Sequence, residues 1–189
     1  MSASDRNSNQ GRTAVPTLTD GVVRLDSFTL EDVEAHLAGE DEETAHRFGW
    51  WPKRSTPETV ASAIRRWNDA WATSGPTRVF AVRNASTGQL MGHCELRYKE
   101  AGIAHVSYST GCAHRGRGYA SRALRLLSAW AFRDAGVERL ELYVEPDNAA
   151  SPSVAHNAGF QQEGLLRMQG RGGAGRHDMI LYAKLPTDP

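Results

Sequence analysis

Cysteine is scarce in this chain: of 189 residues only Cys94 and Cys112 are cysteines, too few for a disulfide framework or a zinc cluster. No apolar run approaches the roughly 20 residues that span a bilayer, and the polar N-terminus has no signal-peptide core. Net charge is also missing. Lys+Arg and Asp+Glu both count 22, which argues against a dedicated nucleic-acid binder. What is there is ordinary for a globular chain, 40% hydrophobic and 23% charged, enough to bury a core. The expectation is a soluble, reduced, cytoplasmic protein with neither membrane nor nucleic acid as partner.

The zero net charge hides two opposite stretches. Glu31 to Glu43 holds seven carboxylates and no Lys or Arg, while Arg115 to Arg139 holds six arginines against Asp134 and Glu138. An enzyme with an anionic cofactor on one side and a cationic substrate on the other fits this distribution; two solvated helix faces fit it equally.

Periodicity divides the chain. Residues 1–17 lack any pattern and read as a disordered tail, leaving 18–189 as one domain. Val23, Leu25 and Phe28 mark a first strand. Thr29 is a candidate N-cap for a helix carrying Leu30, Val33 and Leu37. Thr56-Pro57 opens a stronger helix, whose stripe Val60, Ile64, Trp67 and Trp71 predicts a core face. Val79–Arg83, Leu90–Tyr98 and Ile103–Ser109, separated by turns at Asn84–Gly88 and Lys99–Gly102, read as three antiparallel strands. A helix from about Gly118 to Ala135 carries Ala120, Leu124, Leu127 and Ala131 on one face and stops at Gly136. Leu140–Val144 is a further strand, and Ser151-Pro152 opens a short helix ended by Gly159. Phe160–Arg167 and Asp178–Leu185 form a last strand pair around a loop at Met168–His177. The fold class is α+β.

The most informative segment is Val106-Ser-Tyr-Ser-Thr-Gly-Cys-Ala-His-Arg115-Gly-Arg-Gly-Tyr-Ala120. A strand enters a loop containing Gly116 and Gly118, and a helix begins at once. Such a helix start presents unpaired N–H groups and a positive dipole end to a phosphate or pyrophosphate, and Arg115 and Arg117 add charge-assisted donors. A Walker lysine is absent and the preceding strand belongs to an antiparallel run, so a P-loop or Rossmann site fits poorly.

Arg115-Gly-Arg-Gly118-Tyr-Ala120 resembles the R/Q-x-x-G-x-G/A signature of the GNAT N-acyltransferases. Asn148-Ala-Ala-Ser151 followed by Gly159-Phe160 and Glu163-Gly164 is similar to the RimJ/RimL-type branch of that superfamily. The resemblance covers about Val22 to Leu185. It implies a GNAT-like, mainly antiparallel central sheet flanked by helices, with acetyl-CoA as acyl donor, an amine as acceptor and no metal. It also implies that Gly116, Arg117, Gly118, Tyr119 and Ala120, with Arg115, hold the CoA pyrophosphate. Ser109 and Thr110 would pair with the pantetheine amides as an added strand does. Asn148 and Ser151 would face the pantetheine arm and the thioester sulfur; their plain local roles are a turn start and the cap of the helix opened by Pro152. A homodimer is left open.

Acyl transfer to an amine needs a proton acceptor, donors for the oxyanion and a partner for the leaving thiolate. Ser151 is the candidate donor to sulfur. Glu95, a carboxylate in an apolar strand, is the candidate base unless it faces solvent; Tyr143 and Glu145 one strand over, or a water relay, are the rivals. Some protein-acetylating relatives place a tyrosine acid where this chain has Ala155, which leaves Ser151 or Tyr143 in that role. His105, His114 and His156 lack metal-ligand spacing. Neither cysteine sits in a visible Cys-His arrangement, which favours direct transfer over an acyl-enzyme. The loop Gly170–Gly175 reads as a flexible flap beside the acceptor cleft. The Glu31–Glu43 carboxylates and Trp50-Trp51 point to a cationic acceptor: a protein N-terminus, a lysine or a basic small molecule. A non-catalytic acyl-CoA-binding or regulatory domain is the alternative.

Overall fold

The computed structural model describes residues 14–47, 52–172 and 175–188. In chain order these form β1 (Leu18–Thr19), β2 (Val23–Asp26), α1 (Val33–Gly39), α2 (Glu42–Arg47), α3 (Pro57–Ala72), β3 (Thr77–Asn84), β4 (Leu90–Glu100), β5 (Ile103–Thr110), α4 (Tyr119–Asp134), β6 (Arg139–Val144), α5 (Ser151–Asn157), β7 (Gln161–Gly172) and β8 (Gly175–Lys184). The strands make one mixed sheet in the order β1-β2-β3-β4-β5-β6-β8-β7. Every neighbouring pair is antiparallel except β5 and β6. Trp50 and Trp51 lie outside the described residues, as does the predicted tail up to residue 13; Val15, near the tail's end, packs on the core.

The two helix faces read from spacing do pack inward. Leu124, Leu127 and Ala131 of α4 are buried against Leu25, Phe80, Leu96, Val106 and Leu140 on one side of the sheet. Val60 and Ile64 of α3 pack on the opposite side with Phe28, Val79 and Ala81. Thr56 caps α3, accepting from the Thr59 backbone N–H at 3.3 Å, with Pro57 in the first turn. Trp71 is buried, and its indole N–H donates to the Val79 carbonyl at 2.9 Å. Trp67 packs against the cluster of Phe28, Val60 and Ile64 but is only partly buried, because its ring also forms the wall of a cleft.

Three features differ from the sequence reading. β1 is only two residues long and α2 only six, too short to show a period. Ser151 does not cap α5: it is the helix's first residue, and its backbone N–H donates to Asn148 Oδ1 at 3.1 Å. The described part of the glycine-rich segment is paired strand and not a loose flap; residues 173 and 174 lie outside the described residues. β7 and β8 pair Gly170 with His177 and Gly172 with Gly175, with a bulge between Leu166 and Gly170. Met168, at φ 56°, absorbs that bulge; its N–H donates to Asp178 Oδ1 at 2.9 Å. A side chain at Gly170 would collide with the His177 ring, so glycine there permits cross-strand contact.

A buried ion pair ties α1 to the sheet. The Arg83 guanidinium on β3 grips Asp32 through both of its terminal nitrogens at 2.7 Å each and Asp26 through Nε at 2.7 Å. Asp32 also accepts from the Thr29 N–H at 2.8 Å. Burial alone would raise the Asp32 pKa, but the hydrogen bonds from Arg83 and Thr29 outweigh it and lower the value. Removing Asp32 takes two of these bonds from Arg83 and leaves Asp26 as its remaining carboxylate. Asp32→Ala is therefore expected to lower unfolding stability by about 1.5–3 kcal/mol, measured by urea denaturation. A loss within about 0.5 kcal/mol, the usual range for surface changes, would refute an anchoring role for this pair.

Candidate functional site

The parallel contact between β5 and β6 is short. It pairs Ile103 with Arg139, Ala104 with Leu140 and His105 with Glu141. Beyond that point β5 pairs only with β4, and β6 only with β8. The strands fork, and the edge of β5 from Val106 to Thr110 faces a gap. The fork's base is pinned by Glu141, which accepts hydrogen bonds from Lys99 Nζ (3.0 Å), Arg139 Nε (3.0 Å) and the Tyr143 hydroxyl (2.9 Å). Burial would raise the Glu141 pKa, yet these bonds bring it down to about 2. His105 stacks edge-on against Tyr143 at 4.3 Å, and its buried Nε2 has no hydrogen-bond partner among the described residues.

Tyr143 thus lines the gap with its hydroxyl given to Glu141, and burial followed by that carboxylate raises its pKa. Glu145, on the same face, lies 3.4 Å from His177 Nε2 of the hairpin. The gap is continuous with a cleft of about 700 Å³ whose lining includes all of the expected donor-binding residues: Ser109, Thr110, the loop and helix start from Arg115 to Ala120, Asn148 and Ser151. The hairpin residues Gly170, Arg171 and His177 wall the same cleft.

The helix start has the backbone geometry an anion site requires. Gly116 and Gly118 take φ values of 73° and 74°, and a Cβ at either would meet nothing within 4 Å. The glycines serve left-handed turns that face open space at the N-terminus of α4. Arg117 is exposed on the cleft wall. Arg115 turns to α2 instead. Its Nη1 lies 2.7 Å from Asp41 and 3.2 Å from Glu43, and Nη2 donates to Thr44 Oγ1 at 2.9 Å. The Arg115 guanidinium holds the Asp41 carboxyl at about 2.

Ser151 receives a hydrogen bond that the sequence did not suggest. The Tyr108 hydroxyl donates to Ser151 Oγ at 2.8 Å. Burial raises the Tyr108 pKa, so the phenol keeps its proton for that bond. With its lone pair engaged, the serine hydroxyl's own proton is available to a group in the cleft. The pattern Val106–Thr110 offered no signal for this, since Tyr108 read only as an alternating strand position.

A second cleft, about 540 Å³, lies between α1, α3 and β4 and includes His36, Gly39, Glu40, Ser55, Arg66, Trp67, Gly92, His93 and Gly111 in its lining. Two close approaches form it. Gly39 and Gly111 face each other so tightly that a Cβ on either would sit 3.3–3.4 Å from the other's Cα. A Cβ on Gly92 would lie 2.1 Å from the Ser109 carbonyl oxygen, so β4 can meet the end of β5 only as glycine. The two clefts share Thr44, Ser109 and His114. Glu95 lines neither; it faces the same sheet side, opposite Ser107, and its carboxylate is held by Arg97 at 2.6 Å. Cys94 is fully buried, and burial pushes its thiol pKa up, which leaves no nucleophile there; Cys112 is exposed.

Comparison with known proteins places this geometry. Residues 23–161 match the acetyltransferase (GNAT) domain model. A Bacillus licheniformis relative described as uncharacterized N-acetyltransferase p20 is 34% identical over 95 residues, 49% of this chain and 53% of that protein. The chain thus spans about half the length of that curated relative. Two solved structures share the fold. RimL, a ribosomal L7/L12 alpha-N-protein acetyltransferase in complex with coenzyme A, superposes with TM-score 0.74 at 18% identity, covering 90% of this chain and 98% of its own. The microcin C7 self immunity acetyltransferase MccE, in complex with acetyl-CoA and AMP, gives TM-score 0.77 at 16% identity over 92% and 98%. With a forked sheet, a glycine-turned helix start at the fork and a family match over most of its length, the chain belongs to the GNAT acetyltransferase family.

Proposed function

We propose that the protein transfers an acetyl group from acetyl-CoA directly to a primary amine, the donor entering the larger cleft and the acceptor the smaller. The observation that carries this reading is the junction of the two clefts at Ser109, Thr44 and His114. A thioester laid along the free edge of β5 ends where an amine from the other side arrives, which is the proximity a two-substrate transfer needs. The donor reading is supported by the α4 N-terminus, whose N–H groups suit a pyrophosphate, and by the CoA and acetyl-CoA bound to RimL and MccE. Ser151, oriented by Tyr108, stabilises the departing thiolate by hydrogen bonding. Both sulfur and nitrogen chemistry then proceed without an acyl-enzyme.

The negative charge offered to the acceptor comes from Glu40 and not from Asp41 or Glu43. Asp41 and Glu43 face Arg115, so they do not supply the field in the smaller cleft. Glu40 does: it lines that cleft, accepts from Ser55 Oγ at 2.7 Å and lies 3.6 Å from His36 Nε2. A partly buried carboxylate in an apolar-walled cleft favours an ammonium, and RimL's protein α-amine chemistry makes a peptide or protein N-terminus the preferred class. Incubation with acetyl-CoA and a panel of peptide α-amines, lysine peptides and basic small molecules is expected to release CoA thiol, with the acetylated amine identified by mass spectrometry. Glu40→Gln should raise acceptor KM and weaken its salt dependence while donor KM stays unchanged. Tight CoA binding with no thiol release from any amine would favour the non-catalytic acyl-CoA-binding reading.

The thiolate role makes a separate prediction. Ser151→Ala is expected to lower kcat on the order of 10²-fold with acetyl-CoA affinity nearly unchanged, because the interaction strengthens only as the C–S bond breaks. Tyr108→Phe should shift kcat in the same direction by less. Equal losses in kcat and donor affinity would assign Ser151 to binding alone.

A further inference from the structure

The smaller cleft is floored by rings that the transfer as described leaves unused. His36 of α1 and His93 of β4 stack with centroids 5.8 Å apart and planes 27° apart. Trp67 of α3 lies 5.9 Å from His36 and 6.0 Å from His93, with Phe28 at 5.0 Å behind it. His93 stands directly opposite Ser109 in the β4–β5 ladder. Opposed residues project from the same sheet face, and Ser109 belongs to both clefts. The imidazole therefore sits beside the place where donor and acceptor meet. Glu95 is one pleat further along β4, outside both clefts and paired with Arg97.

We infer that His93 is the proton acceptor for the incoming amine and that His36, stacked on it, is a positioning residue. The inference rests on the acyl-transfer reading above. The incoming ammonium first gives one proton to a ring nitrogen of His93, which passes it to solvent; the neutral amine nitrogen then attacks the thioester carbonyl carbon, a C–N bond forms, the C–S bond breaks and its electron pair leaves on sulfur. The second proton lost by nitrogen goes to the same ring and balances the one the thiolate takes up; the sum is ammonium plus thioester giving amide, thiol and one proton released to solvent.

The surroundings keep the ring ready for this. Burial, then the neighbouring His36, push the His93 pKa down to about 4, so it carries a free lone pair at neutral pH. Burial lowers His36 as well, against the opposing pull of Asp32. The charged and titratable groups around the pair are Asp32 and Glu40 at the two ends of α1, Arg66 on α3, Glu95 on β4 and His114 after β5. Proximity of the two rings disfavours a doubly charged pair, so protons pass one at a time.

The test uses the full chain and the best amine from the panel above. His93→Gln and His93→Ala are expected to lower kcat on the order of 10²-fold, with the acetyl-CoA dissociation constant unchanged and circular dichroism confirming the fold. Added imidazoles should restore activity to His93→Ala with rate constants that rise with imidazole basicity, a response that a merely structural role would not give. His36→Gln should cost only a few-fold. A folded His93→Gln enzyme retaining kcat within about twofold, or rescue indifferent to imidazole basicity, overturns the assignment. Failure of the unsubstituted protein to acetylate any amine is a distinct result, overturning the acyl-transfer reading and this assignment with it.

Discussion

The fork between β5 and β6 is the constraint from which the rest of the site follows. Parallel strands cannot be joined by a tight turn, so the chain leaving β5 must cross the sheet before returning as β6. Here the crossing element is α4, and its first turn lands at the very end where β5 has lost its partner. One topological requirement therefore produces both a free strand edge and a helix N-terminus next to it. The fork stays open because its last paired residue, Glu141, is fixed by Lys99, Arg139 and Tyr143. Their charge-assisted bonds offset the cost of sinking a carboxylate among strands.

The second wall depends on missing side chains. Gly39 against Gly111, and Gly92 under the Ser109 carbonyl, let α1 and β4 press against the end of β5 more closely than any Cβ would allow. Arg83, bound to Asp32 and Asp26, then fixes the start of α1. Rigid packing on both sides of β5 is what holds the two clefts in register, and a site supported by strands and capped helices keeps its geometry better than one carried on loops.

Much of this was legible in the sequence because it is local. The Thr56-Pro57 and Ser151-Pro152 helix starts, the stripes of α3 and α4 and the glycine-turned segment Arg115–Ala120 all announce themselves within a few residues. The parts that were not legible depend on distant pairings. Arg115 read as a phosphate ligand because nothing nearby competes for it; Asp41 and Glu43 are remote in sequence and meet it only once α2 is folded beside the loop. The Tyr108–Ser151 bond joins two motifs that local reading treats separately. The glycine-rich segment reads as a flap from its composition and its place between two strands, whereas cross-strand pairing with β8 and the His177 ring over Gly170 hold its described part as strand.

The two histidines show the same principle at the point of chemistry. His36 and His93 sit far apart in the chain and match no motif; only the α1–β4 contact stacks them. Their neutrality suits the cleft they occupy. Glu40 already gives it a partly buried negative charge, and a second carboxylate at position 93 would raise the cost of ionising both. An uncharged imidazole can accept a proton without that repulsion. Attraction of the acceptor and removal of its proton are thereby assigned to different residues, Glu40 for the first and His93 for the second, each in the charge state its task requires.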